Sequence, residues 1–101
     1  MKREVVITPR AKIEIEEIFE YIELKWNNEV KKKFSNKINA AIKLIVENPE
    51  LFPISNINRK IRKVVISKQT SLFYHFNYKH IVIVSVFDTR QDPNKIKKDI
   101  K

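Results

Sequence analysis

Residues 71–87 read SLFYHFNYKHIVIVSVF. Two runs rich in aromatic and β-branched residues, 71–76 and 81–87, flank Asn77-Tyr78-Lys79-His80, a link short enough for a hairpin. With no glycine in the chain, Asn77 is the residue expected to take the left-handed conformation such a turn favours. Immediately upstream, IRKVVIS (61–67) reaches the first run through the equally tight Lys68-Gln69-Thr70. Three consecutive strands with tight links make an antiparallel meander. The last two strands do not alternate cleanly, since Leu72, Tyr74 and Phe76 fall on one face and Phe73 with His75 on the other. A sheet covered on one side only should alternate, so the second face also needs cover, from a terminal helix, a second copy or a partner segment.

Outward from the meander, the pattern changes period. REVVI (3–7) is a short strand, and Thr8-Pro9 opens a helix, with threonine as cap and proline at a position that loses no hydrogen bond. Ala11, Ile15, Ile18, Phe19, Ile22 and Trp26 then recur at helical spacing, with Glu14, Glu16, Glu17, Glu20 and Lys25 assigned to the opposite, solvated side. Asn27-Asn28 interrupts the pattern. A second helix carries Val30, Phe34, Ile38, Ala41, Ile42 and Ile45 on its inner stripe, leaving Lys31 to Lys33 and Lys37 in water. The short connection makes the pair an antiparallel hairpin. Asn48-Pro49 ends it, and a loop to Lys60 follows, with Leu51 and Phe52 expected to pin it to the core. Asp92-Pro93 repeats the helix-opening chemistry. The order is βααβββα, an α+β domain with a helical hairpin on one face of an antiparallel sheet.

Composition narrows the function. A chain of 101 residues is one small domain. The absence of cysteine excludes disulfides and thiolate metal sites and suits a reducing cytoplasm; the absence of glycine excludes dinucleotide fingerprints and P-loops. MKREVVITPR has the basic residues of a secretory leader without its apolar run, and Ile81 to Phe87 is too short to cross a bilayer. A net charge of +9 and a pI of ≈ 9.9 favour anionic partners, though lysines can equally serve to solvate helix faces.

Residue chemistry points to cations. His75 and His80 have no carboxylate at ligand spacing, so no metal or other cofactor is expected. Arg59, Lys60, Arg62 and Lys63 cluster where the loop meets the first meander strand, Lys68 follows that strand, and Arg90 follows the last. Antiparallel pairing can bring such positions to one rim. For a metal-free ribonuclease, Arg90, Arg62 or Lys63 would clamp the phosphate, with Tyr74 or a histidine carrying the proton. The competing reading pairs Arg90 with Asp88 or Asp92 and puts Tyr74 in the core.

The element order, NPELFP (48–53), IRKVVISKQTSLFYHF (61–76) and FDTRQDP (87–93) together resemble the RelE/ParE superfamily of toxins from bacterial type II toxin–antitoxin modules. The resemblance covers nearly the whole chain, so residues 1–101 read as a single toxin domain of this kind. It implies a basic toxin neutralised by a cognate antitoxin, acting either on DNA gyrase, as in the ParE branch, or as a RelE-like endoribonuclease on ribosome-bound mRNA. Arg90 matches the arginine both branches carry after the last strand. Where RelE members have an arginine in the second meander strand this chain has Ser71, and where they have a C-terminal tyrosine it has Ile96. The ParE branch is therefore the expectation, with Arg90, Gln91, Arg62, Lys63 and Lys68 as target-binding candidates. A degenerate domain that only binds its antitoxin is the third reading.

Overall fold

The computed structural model describes residues 2–56 and 58–89. The chain runs β1 (Glu4–Ile7), α1 (Pro9–Lys25), α2 (Asn28–Glu47), β2 (Arg62–Val65), β3 (Thr70–Phe76) and β4 (His80–Asp88). This is the α+β order expected from the sequence; the terminal helix expected from Asp92 onward lies outside the described residues. Both helices start on their expected caps. Thr8 Oγ1 accepts from Ala11 N–H at 3.1 Å with Pro9 beside it, and Asn27 Oδ1 accepts from Val30 N–H at 3.1 Å. Lys31 and Glu23 form a salt bridge across the hairpin.

The four strands form one sheet in the order β1-β4-β3-β2. β2, β3 and β4 make the antiparallel meander, but β1 joins β4 in parallel, with Val5 opposite Ile81 and Ile7 opposite Ile83. The sheet is thus mixed rather than wholly antiparallel. A four-residue strand lays claim to an edge without specifying which edge or which direction.

One face of the sheet holds the core. Leu72, Tyr74, Ile81, Ile83, Val86 and Val64 pack against Ala11, Ile18 and Ile22 of α1 and Phe34, Ile38, Ala41 and Ile45 of α2. On the other face Phe73 and Phe87 are 1% and 6% exposed, with Ile61 and Val84 packed on them. These two phenylalanines are therefore covered, as the sequence requires of this face; of the covers expected for it, the terminal helix lies outside the described residues. The exposed apolar surface lies elsewhere, at Leu44, Leu51, Ile54 and Val65 around the β2 edge.

Several local expectations also shift. Asn77 does not adopt positive φ; no described residue does. Its Oδ1 instead accepts from the N–H groups of Lys79 and His80, both at 2.8 Å, which closes the turn from the side chain. Trp26 sits past the end of α1 and is exposed, and Leu51 is exposed while Phe52 packs on the core. Glu14 belongs to the buried stripe of α1, not its solvated side.

The reason for Glu14 is a bulge in β4. Phe73 pairs with Ser85 and Tyr74 with Ile83, so Val84 is an extra residue in the ladder. The bulge leaves donors without ladder partners, and one carboxylate oxygen serves two of them. Glu14 Oε1 accepts from Ser85 Oγ at 2.9 Å and from Val86 N–H at 3.3 Å, with Arg10 Nε 4.0 Å from Oε2. Thr8 adds a bond from its hydroxyl to Val84 O at 3.4 Å. The first turn of α1 is thereby stitched to the bulge.

Candidate functional site

The C-terminal end of β4 is held at three places. Beyond the bulge, the Thr70 hydroxyl donates to Asp88 Oδ2 at 2.8 Å, both residues being buried, and Thr89 N–H donates to Gln69 O at 2.8 Å. The corner where β4 leaves the sheet is therefore tied to the β2–β3 turn. Arg90 is the next residue in the chain; it and Gln91 lie outside the described residues.

Beside this corner, between the helical hairpin and the β2–β3 turn, lies a cleft of ≈ 240 Å³. Ile22, Val30 and Phe34 form its apolar floor, while Lys33, Lys37, Ser67 and Gln69 supply two ammonium groups, a hydroxyl and an amide. Lys33 and Lys37 are one helical turn apart and flank the buried Phe34, so both reach the same opening. Lys37 also borders a second groove of ≈ 280 Å³ between α2 and β2, floored by Ala40, Ala41, Leu44, Phe52 and Val65. Lys37 is common to both, which sets a mainly apolar groove along β2 next to a cationic cleft at the corner. Such a surface suits an apolar segment bearing acidic groups.

Those predicted site residues that are described do not assemble on one rim. Lys68 stands in the β2–β3 turn, next to Gln69 and hence near the corner. Arg62 pairs with Tyr74, four β3 residues or about 13 Å from Thr70. Its guanidinium is engaged structurally: Nη1 donates to Phe52 O at 2.7 Å and Glu50 O at 3.3 Å, and the group lies over Phe76 at 5.7 Å. Lys63 alternates to the opposite face of the sheet from Arg62 and is exposed. The histidines are also apart, His75 exposed on the back of the sheet and His80 at the start of β4. Among the described residues, no cluster of three or more histidine and acidic side chains could hold a metal ion.

Tyr74 is corrected as a proton carrier. It is fully buried, and its hydroxyl donates to Pro49 O at 2.6 Å, fastening the loop after α2 to the sheet. Burial raises its pKa above the ordinary 10.0, an effect the Arg62 guanidinium partly offsets. Because the folded value is raised, the stabilising contribution is complete below pH 10.0 and is lost as pH climbs through the folded value. Tyr74→Phe should cost about 1 kcal/mol at neutral pH, mainly by leaving the Pro49 carbonyl unmatched. Urea unfolding above pH 10.0 should show that gap closing; a gap that widens would contradict the buried-phenol assignment.

Lys33 and Lys37 are the site residues sequence reading placed in solvent. Their signal was present in the spacing, since both flank a buried stripe residue. What the sequence did not carry is that the β2–β3 turn comes to rest opposite them.

The profile of the family described as the ParE toxin of type II toxin-antitoxin system, parDE, matches residues 5–93. Among solved structures, the chain is similar to one from the chromosomal ParDE TA system of P. aeruginosa, at 17% identity and TM-score 0.72, covering 85% of this chain and 95% of that one. The YoeB dimer from Staphylococcus aureus follows at 23% identity and TM-score 0.61, with 86% and 97% covered. The E. coli DinJ-YafQ toxin-antitoxin complex gives 10% identity and TM-score 0.61, with 92% and 99% covered. A search of curated proteins gives no match. At these identities the three structures establish a shared fold, and the profile match establishes kinship.

Proposed function

Because this chain belongs to the ParE toxin family of type II toxin–antitoxin systems, we propose that it is a cytoplasmic toxin that arrests growth by binding DNA gyrase and is silenced by a cognate antitoxin. The observation that favours binding over chemistry is the dispersal of its cations. Arg62 is committed to loop carbonyls, Lys63 is on the other face, and Tyr74 is sealed in the core. The groups that do converge are Lys33 and Lys37 over an apolar floor. That pairing recognises an acidic, partly apolar protein surface rather than activating a hydroxyl.

The antitoxin has a matching place. Ala40, Leu44, Phe52 and Val65 floor a groove along the β2 edge, and Leu51 and Ile54 stand exposed near it. An amphipathic segment laid there would cover these exposed apolar side chains, and acidic residues at its end would meet Lys37. Covering Lys37 would also close the cleft at the corner, so one partner excludes the other.

Expression of the full chain from a tightly repressed promoter tests the reading. Growth should stop with induction of the DNA-damage response, and co-expression of the neighbouring acidic reading frame should restore it. Cleavage of ribosome-bound mRNA at the onset of arrest would overturn the gyrase assignment in favour of an endoribonuclease. Unimpaired growth at full expression would leave only an antitoxin-binding domain.

A further inference from the structure

The opposite end of the sheet carries a second basic surface that the toxin reading does not use. β1 begins there, β3 ends there, and β4 starts at His80, eight strand residues or about 26 Å from Asp88. Lys2, Glu4, Tyr78, Lys79 and His80 line a pocket of ≈ 250 Å³. Arg3 stands on the other face of the sheet, its Nε donating to Asn77 O at 2.6 Å and its guanidinium lying 5.4 Å from the centre of the Phe76 ring.

Three features separate this cluster from an ordinary solvated face. First, one of its cations is positioned: Lys79 Nζ lies 5.6 Å over the Tyr78 ring. Second, Lys2 and Lys79 make no salt bridge among the described residues, whereas Lys31 is paired with Glu23. Glu4, the one carboxylate lining the pocket, faces His80 at 4.0 Å. Third, Tyr78 is 75% exposed at the tip of the β3–β4 turn, an aromatic ring offered to solvent among uncompensated charges.

We infer that the Lys2–Tyr78–Lys79 surface binds single-stranded nucleic acid, with the two lysines on neighbouring phosphates and a base stacked on Tyr78. Charge alone would serve any polyanion. The exposed ring selects the single strand, because only unpaired bases offer a face to stack on. This surface is independent of the cleft that bears Lys33 and Lys37, so the proposal stands whatever protein the toxin engages there.

Fluorescence anisotropy with the purified full chain and a labelled oligo(dT) of about ten nucleotides measures it directly. Two phosphate contacts predict that log K falls with log salt at a slope of about −1.4. Lys2→Gln with Lys79→Gln should bring the slope close to zero, while Lys32→Gln with Lys43→Gln, which removes the same charge from α2, should leave it at about −1.4. Tyr78→Ala should weaken binding about fivefold or more, and Tyr78→Phe should restore it. Equal losses from the two lysine pairs, or wild-type affinity in Tyr78→Ala, would overturn the proposal. So would competition by duplex DNA or polyglutamate as effective as that by the single strand, since either would reduce the surface to a general polyanion patch.

Discussion

Replacing Glu14 by leucine is expected to destabilise the fold by about 3 kcal/mol, the largest effect of any single polar substitution in the described core. The carboxylate is 7% exposed, and its Oε1 accepts from both Ser85 Oγ and Val86 N–H. Desolvating a carboxylate is itself unfavourable, so replacing a buried ion with an apolar side chain is sometimes neutral. Here the balance falls the other way. Leucine fills the space and keeps water out, leaving a buried hydroxyl and a buried backbone N–H with no acceptor, at about 1–3 kcal/mol each. Glutamine, which keeps one acceptor oxygen in place, should cost about 1 kcal/mol. For a domain of this size, 3 kcal/mol lowers Tm by about 12–24 °C, so thermal melts of the two variants separate clearly. Similar melts for leucine and glutamine would mean that Glu14 does not hold the bulge.

The same substitution bears on function through geometry. The bulge sets the register of Ser85 to Asp88, and with it the direction in which β4 reaches the corner beside Lys68 and Gln69. A toxin with a mis-set bulge would present its C-terminal corner wrongly even where the core still forms. Glu14→Gln should therefore retain growth arrest, because the acceptor survives.

How much of this was legible beforehand follows from what each feature depends on. The helical hairpin and the meander could be read, because Ala11, Ile18 and Ile22, then Phe34, Ile38, Ala41 and Ile45, repeat at the helical period, and tight links separate the later strands. Those signals are local. Glu14 was legible in place but not in role: three residues after Ala11 and four before Ile18 it falls on the buried stripe, but the partners that satisfy it lie more than seventy residues away. The parallel pairing of β1 depends on where β4 lies, which residues 3–7 cannot encode alone. Tyr74 had two readings, core residue or proton carrier, and only the contact with Pro49 decides between them. For the cations the rule is the same. Arg62 attracted attention by sequence clustering but is used to fix a loop, while Lys33 and Lys37 are exposed, as the sequence places them, and only the fold brings the β2–β3 turn across the cleft from them. Arg90 and Gln91, outside the described residues, keep the standing the family resemblance lends them as target-binding candidates.

The account rests on the corner at the end of β4 acting as a binding surface for gyrase, and a supercoiling assay with purified components tests it most directly. The full chain, added in excess to gyrase and relaxed plasmid, should block supercoiling and accumulate gyrase-cleaved DNA. Lys33→Glu with Lys37→Glu should raise the half-inhibitory concentration on the order of tenfold or more without lowering Tm, since both side chains are exposed and their charge meets the partner at the rim. Arg90→Ala should abolish inhibition. Complete supercoiling in the presence of excess, correctly folded toxin would contradict the account.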